Sequence, residues 1–210
     1  MFVTITREYG AGGSTLARRV AELLDWRLVD NELIEEVAKR AGVSVEAVAE
    51  REERAPTFVE RLARALAMAT PELLGPDTIA APEAEEARLV KVTEQVVTDL
   101  CAEGDAVFVG RAAVAMLHDR ADALHVRLVA SPEHRATVIA ARLGVSPDEA
   151  AKRIREVDAD RTRYHRQWYG RDWAEPRNYH MTLHTEWLGL EGAAHLVVEA
   201  AGGGAAQRRG

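Results

Sequence analysis

The chain has 210 residues and a mass of 23.0 kDa, enough for one domain that buries about 70% of the surface its unfolded chain exposes. Its composition, 47% hydrophobic and 29% charged with one cysteine, excludes a disulfide scaffold, a thiolate metal site and a wholly disordered chain. The net charge of −7 argues against binding to nucleic acid polymers or anionic membranes. No apolar run is long enough to span a bilayer and no signal peptide is recognisable, so we expect a cytoplasmic protein.

Five short apolar segments predict buried strands, and helical patterns alternate with them. The strand segments are Phe2–Thr6, Trp26–Val29, Ala106–Val109, Leu124–Ala130 and Met181–His184. Apolar residues at helical spacing lie in the ranges 16–24, 33–37, 89–101, 138–143, 150–157 and 190–198. Strand alternating with helix predicts an α/β fold, a three-layer, five-stranded parallel sheet with helices on both faces.

Three segments depart from this alternation within a chain that we otherwise interpret as a single domain over residues 1–199. Residues 54–86 contain four prolines and no strand signal, which predicts an inserted helical arm. Residues 152–177 hold eight Lys or Arg against five Asp or Glu, so this segment carries +3 and the rest about −10. One basic segment in an acidic protein is better matched to the binding of a compact anion than of a long polyanion. Residues 200–210 lack large apolar side chains, which predicts a flexible tail.

Two similar pentapeptides, Arg40–Ser44 and Arg142–Ser146, are interpreted as capping signals rather than as a repeat. Each places a glycine, which ends a helix, two residues before a serine, which begins the next one. Glu149 stands three residues after Ser146, the spacing of a capping box.

A glycine-rich segment stands where the first strand must turn into the first helix. It consists of Gly10, Ala11, Gly12, Gly13, Ser14 and Thr15. Glycines permit positive φ, so successive N–H groups can point into the turn, and the positive end of the helix adds to their attraction for an anion. A hydroxyl in the first helical turn can bind the Mg²⁺ that accompanies a nucleoside triphosphate. The segment therefore predicts a site for phosphate.

The segment departs from the standard P-loop pattern G-x-x-x-x-G-K-[ST]. Gly13 stands at the lysine position, and Arg7 stands where the first glycine would fall. The spacing of the dinucleotide-binding fingerprint, G-x-G-x-x-G, is also absent. Asp30 does follow the second strand, close to the place of that fingerprint's ribose-binding acid, so the dinucleotide alternative is weakened rather than removed.

Four short motifs follow one another along the chain. They are Ile5–Gly13 (ITREYGAGG), Asp30–Ile34 (DNELI), Val109–Ala112 (VGRA) and Tyr169–Tyr179 (YGRDWAEPRNY). Together they resemble the cytidylate kinase-like family, a branch of the nucleoside monophosphate kinases with the P-loop fold, over nearly the whole chain. Genuine cytidylate kinases keep a P-loop lysine and a Gly-Arg-Asp motif, and Gly13 and Ala112 replace the lysine and the aspartate here.

The resemblance implies an ATP-dependent kinase that uses Mg²⁺ and transfers the γ-phosphoryl group of ATP to a nucleoside monophosphate, CMP or dCMP before others. Two alternatives stay open: a non-catalytic nucleotide-binding protein on the same scaffold, and a kinase of another small acceptor. The resemblance also implies small nucleotide partners and a helical lid over residues 152–177. A monomer and a homodimer are both compatible with it.

Arginines are the candidate catalytic residues, because phosphoryl transfer needs positive charge around the moving group. Arg111 follows the third strand at the sheet edge where α/β proteins bind ligands, and it is expected to bind the acceptor phosphate. Arg7 is the candidate replacement for the missing lysine. Arg161 and Arg163 lie in a run that resembles the lid of this kinase class, with a solvated ion-paired helix as the alternative.

The remaining binding candidates are polar or aromatic. The family position of Asp30 implies contact with the acceptor's sugar or base, and a helix N-cap is the alternative. Ser14 and Thr15 are the candidate contacts to Mg²⁺ through the nucleotide. Trp168 and Trp173 could stack on a base, although an aromatic cluster is more often local core.

Overall fold

The structure, a computed structural model, describes residues 1–30, 42, 82–110 and 113–207. Its five strands are β1 (Phe2–Arg7), β2 (Arg27–Val29), β3 (Ala106–Val109), β4 (Ala123–Val129) and β5 (Met181–His184). They form one sheet in the order β2-β3-β1-β4-β5, and every pairing is parallel. After β1 the chain adds β2 and β3 on one side of β1, and later β4 and β5 on the other side. The loop after β1 therefore lies where the strand order reverses, which is the usual place for a ligand site in such a sheet.

Six helices connect and flank these strands in the described ranges. They are α1 (Gly13–Leu24), α2 (Pro82–Ala102), α3 (Ala113–Met116), α4 (Pro132–Leu143), α5 (Pro147–Tyr169) and α6 (Thr185–Gln207). A 3₁₀ turn, Pro176–Asn178, precedes β5, and α6 is kinked at Gly189, whose φ is 68°. None of these helices combines the length and the apolar character that crossing a bilayer requires.

Alternate residues of the central strand face two separate cores. Phe2 packs with Phe108 and with Val97 of α2 on one face of the sheet. Val3 and Ile5 pack with residues of α1 and α6 on the other face. Both faces of the sheet are therefore covered by helices, as a parallel sheet requires, and the predicted three-layer α/β architecture is confirmed.

The predicted strands match the observed ones to within one residue at every end. The capping box is also present: Ser146 accepts the N–H of Glu149, and the Glu149 carboxylate accepts the N–H of Ser146. Gly144 ends α4 with a φ of 66°. These local signals depend on neighbouring residues only, which is why the sequence reveals them.

Helix α5 is longer than its apolar periodicity predicts, because its second half is charged and is held by contacts with the rest of the protein. Helix α6 continues to Gln207, beyond the apolar periodicity over residues 190–198, and the flexible tail over residues 200–210 stays a prediction. Ala201 is 1% exposed and belongs to the core, which anchors this end of the helix. The predicted arm over residues 54–86 lies outside the described residues except at its end, where α2 begins at Pro82.

Candidate functional site

The glycine loop, residues 8–13, leads from β1 into α1 and leaves the first turn of the helix open to a ligand. Gly10 and Gly12 have φ values of 92° and 78°, in the region that favours glycine. Gly12 is the N-cap residue of α1 and provides no side-chain cap. The N–H groups of the first turn therefore keep the orphan donors and the positive partial charge that attract an anion. Ser14 and Thr15, the second and third residues of α1, are exposed beside them.

Neighbouring residues pack so closely on the loop that they leave little room for a side chain at two of its glycines. A Cβ on Gly12 would lie 2.6 Å from Cδ2 of Leu190. A Cβ on Gly10 would lie 3.1 Å from the carbonyl oxygen of Arg135 and 3.2 Å from Cγ1 of Ile139. The hydroxyl of Thr185 is 3.0 Å from the carbonyl oxygen of Ala11, to which it donates, at the start of α6. Helices α4 and α6 thus hold the loop from two sides.

The side chain of Arg7 lies across the beginning of α1. A Cβ on Gly13 would stand 2.5 Å from Cδ of Arg7 and 2.6 Å from its Cγ. A Cβ on Gly110 would overlap Nη1 of Arg7. The Arg7 side chain therefore crosses the start of α1 with its aliphatic carbons and places its guanidinium at the end of β3, and the absence of side chains at positions 13 and 110 provides the space for it.

Helix α5 contacts the glycine loop through two charged residues one turn apart. The Asp158 carboxylate accepts the N–H of Tyr9 at 2.9 Å. Arg161 donates from Nη1 to the carbonyl oxygen of Arg7 at 2.8 Å, and the same nitrogen is 3.6 Å from Asp158. Burial, together with the charge of Arg161, lowers the pKa of the neighbouring His165 to about 4, so this imidazole is neutral at pH 7. At pH 7 the helix therefore brings the positive charge of Arg161 to the loop, and the neighbouring His165 adds none.

The other predicted site residues have different surroundings. Arg163 is half exposed and pairs with Asp160 on its own helix at 2.7 Å, so the structure does not bring its guanidinium to the loop. Asp30 follows β2 at the same edge of the sheet, two strands from β1. Arg111 lies outside the described residues, directly after Gly110, whose φ is 66° and whose neighbour is Arg7.

Four charged residues at the loop were not among the sequence candidates: Glu8, Arg127, Arg135 and Asp158. Arg127 and Arg135 both approach the Glu8 carboxylate, at 3.4 and 3.5 Å. Arg127 is 8% exposed, in the middle of a strand that is otherwise mostly apolar. A charge within a buried strand is the sequence signal that could have identified it, because such a group must find a partner.

The aromatic cluster is mainly structural. Trp173 is 4% exposed, and the guanidinium of Arg127 lies 4.9 Å from its ring centre. Tyr179 donates from its hydroxyl to the carbonyl oxygen of Trp173, and burial raises the pKa of Tyr179 to about 12. Within the described part of the chain, no three His, Cys, Asp or Glu residues are grouped to hold a metal ion.

Comparisons with known proteins agree with this geometry. The model of the cytidylate kinase-like family matches residues 2–187. An uncharacterized protein from Eubacterium ventriosum has a similar structure, with a TM-score of 0.70 and 18% identity over 97% of this chain and 98% of that chain. Shikimate kinase from Acinetobacter baumannii, solved in complex with shikimate, has a TM-score of 0.50 and 15% identity over 95% and 91% of the two chains. A search of curated proteins gave no match. At these identities the structural likeness shows the fold, which is that of the P-loop kinases.

Proposed function

Because the chain belongs to the cytidylate kinase-like family, we propose that it transfers the γ-phosphoryl group of Mg·ATP to a nucleoside monophosphate, with CMP or dCMP as the first acceptors to test. The family and the kinase fold support a phosphotransferase. The observation that carries the proposal is the position of Arg7. Its aliphatic carbons cross the start of α1 and its guanidinium lies beside Gly110 at the end of β3, in a chain that has no lysine at position 13.

The residues of the loop fit a triphosphate. The uncapped first turn of α1 offers backbone donors. The loop leaves access to them because it carries no side chain larger than a methyl group at Gly10, Ala11, Gly12 and Gly13. Ser14 and Thr15 offer hydroxyl oxygens for Mg²⁺, with the phosphate oxygens as the other ligands. Mg²⁺ would neutralise charge on the phosphates during transfer.

In the proposed reaction an oxygen of the acceptor phosphate forms a bond to the γ-phosphorus while the bond from that phosphorus to the β-phosphate oxygen breaks. The protein has little covalent chemistry to perform, so its contribution is orientation and positive charge. Arg7 and the helix terminus supply that charge on the donor side. Arg161 stabilises the loop through the Arg7 carbonyl, and Arg111 is assigned to the acceptor phosphate from its place after β3.

Arg163 is retained as a candidate that would have to turn from Asp160 toward a bound nucleotide. Asp30 is assigned to the acceptor's sugar or base, since it lies at the same edge of the sheet. The two departures from cytidylate kinases, Gly13 and Ala112, favour one alternative, a nucleotide-binding protein without turnover. A kinase of another small acceptor is the other.

The test is an acceptor panel. The protein is incubated with Mg·ATP and each of CMP, dCMP, UMP, AMP and GMP, ADP is followed, and ATP binding is measured separately by calorimetry. We expect ADP formation that depends on the acceptor. ATP binding without ADP formation for any acceptor would replace the proposal by the non-catalytic alternative. As a matched pair, Arg7→Lys should retain more ADP formation than Arg7→Met, because it keeps the charge at the loop.

A further inference from the structure

Four charged side chains form a connected chain behind the glycine loop, which we term the buried charge chain. Its members are Glu8, Arg127, Arg135 and Asp158. The Glu8 carboxylate lies between the two arginines, and Nη1 of Arg135 is 2.6 Å from Oδ2 of Asp158. No side chain of the four is more than 20% exposed. Solvent therefore screens these contacts only weakly.

One end of the buried charge chain holds the backbone of the loop just before its glycines. Asp158 accepts the N–H of Tyr9, and Arg135 donates to the carbonyl oxygen of Tyr9 at 3.4 Å. The second carboxylate oxygen of Glu8 accepts the N–H of Ala130 at 3.4 Å. Glycine has more backbone freedom to lose on ordering than any other residue. The contacts at Glu8 and Tyr9 restrict the loop from outside its glycine positions.

The other end of the buried charge chain reaches the segment Trp173–Tyr179, which follows α5. Arg127 donates to the carbonyl oxygen of Ala174 at 2.6 Å, and its guanidinium lies 4.9 and 5.8 Å from the ring centres of Trp173 and Tyr179. Its Nε is buried and has no hydrogen-bond partner among the described residues. Removing Arg127 alone would leave the buried Glu8 carboxylate with one partner fewer, so its loss should disturb the contacts at both ends of the buried charge chain.

We propose that Arg127 is a positioning residue, which holds the glycine loop in its phosphate-binding conformation and couples that conformation to the Trp173–Tyr179 segment through Glu8. The identity of the ligand in this statement rests on the proposed function. Asp158 provides a parallel connection from α5 itself. The loop and the helix that carries Arg161 are thereby fixed together, so a displacement of one changes the other.

Arg120 offers a matched control for Arg127. It donates to both carboxylate oxygens of Asp122, at 2.8 and 2.7 Å, and its guanidinium lies 4.8 Å from the ring centre of Phe2. Both arginines thus pair with a carboxylate and lie over an aromatic ring. Arg120 lies before β4, at the opposite end of the sheet from the glycine loop, and it is more exposed.

The first test compares amide hydrogen exchange, resolved by NMR, in the wild type, Arg127→Met and Arg120→Met. The Tyr9 and Ala11 amides are both hydrogen-bonded within the loop region. We expect them to exchange at least about tenfold faster in Arg127→Met and unchanged in Arg120→Met. Faster exchange confined to residues 173–179 would show a merely local role for Arg127 and would overturn the proposal.

Two further measurements keep the test decisive. If Arg127→Met does not fold, Glu8→Gln takes its place, since it keeps an acceptor for the N–H of Ala130 but removes the charge between the two arginines. We expect the same faster exchange at Tyr9 and Ala11 in this variant. Unchanged exchange at Tyr9 would overturn the proposal. In a turnover assay both variants should raise KM for ATP about tenfold and change kcat less than about threefold, because they displace donors without removing them. Arg127→Lys should restore part of that loss. A wild type that forms no ADP would refute the proposed function, while the exchange experiment would still decide the role of Arg127.

Discussion

Replacing Gly13 by alanine tests the position of Arg7 through stability alone, without any assumption about catalysis. Gly13 begins α1 with an ordinary helical φ, so its backbone accepts any residue. On conformational grounds, alanine should stabilise the helix by up to about 1 kcal/mol. The added Cβ would however stand 2.5 and 2.6 Å from Cδ and Cγ of Arg7, roughly 1 Å inside the normal separation of carbon atoms.

The contact with Arg7 should therefore turn the expected stabilisation by alanine into a destabilisation. Forcing one extra carbon into a packed site costs about 1–3 kcal/mol, so Gly13→Ala should lower the free energy of unfolding by about 1 kcal/mol after the gain in helix propensity. Gly192 is the control: it is exposed in α6 and has open space where its Cβ would be. Gly192→Ala should stabilise, and the two variants should differ by about 2 kcal/mol.

Urea unfolding measures this difference through the transition midpoint, provided that the slope is unchanged. A double-mutant cycle with Arg7→Ala, which removes Cγ and Cδ, should show that Gly13→Ala becomes less destabilising in that background. Equal effects of Gly13→Ala and Gly192→Ala would refute the placement of Arg7 across the loop. They would also remove the main support for Arg7 as the replacement of the lysine.

Three other substitutions test the acceptor site, the buried imidazole and the cap of α5. Arg111→Ala should lower kcat/KM for the acceptor by at least about 10²-fold, or about 2.7 kcal/mol, in steady-state assays, because it removes a contact to the acceptor phosphate. The pKa of His165 is about 4 in the folded protein and 6.5 in the unfolded chain, so between these pH values the unfolded chain binds more protons. The free energy of unfolding of the wild type should therefore fall as pH falls from 6.5 to about 4. His165→Gln should lose that part of the slope in urea titrations at several pH values. Ser146→Ala removes the N-cap of α5 and should cost about 1 kcal/mol in the same unfolding assay.

Each of these has an outcome that would contradict it. Near-normal turnover of Arg111→Ala would remove that residue from the site. An identical pH dependence of stability in His165→Gln and the wild type would mean that the imidazole is accessible and protonates normally. Thr137, whose hydroxyl bonds to the carbonyl oxygen of Glu133 within α4, provides a helical control for the cap. If Thr137→Ala costs as much as Ser146→Ala, the capping box does not explain the loss.

The sheet could be predicted because its strands depend on local composition. Buried parallel strands are short runs of Val, Leu and Ile, and β3 is such a run over Ala106–Val109. The glycine loop was equally visible, since positive φ at Gly10 and Gly12 requires glycine. Apolar periodicity reveals α5 only as far as Val157, because the residues after it carry charge, and the expectation that the helix continues came from the resemblance to a kinase lid. Nothing local shows that Asp158 and Arg161 contact the loop.

The surroundings of the candidate site could be predicted only in part, because they too depend on contacts between distant parts of the chain. Arg7 was identified from its place beside the loop, but that Gly13 and Gly110 provide its space depends on contacts between distant parts of the chain. The roles of Glu8 and Arg127 depend on a separation of 119 residues, which no periodicity reveals. Side chains that neutralise each other across the sheet become apparent only once the strands are paired.

Transfer of label tests the proposed phosphotransfer most directly. The protein is incubated with Mg²⁺, ATP radiolabelled in its γ-phosphate, and each nucleoside monophosphate in turn, and the products are separated by chromatography. We predict that the label appears in a nucleoside diphosphate, with CMP or dCMP as the preferred acceptor, and that Arg7→Met greatly reduces this transfer. Label that stays in ATP or appears only as inorganic phosphate with every acceptor would contradict the proposed function.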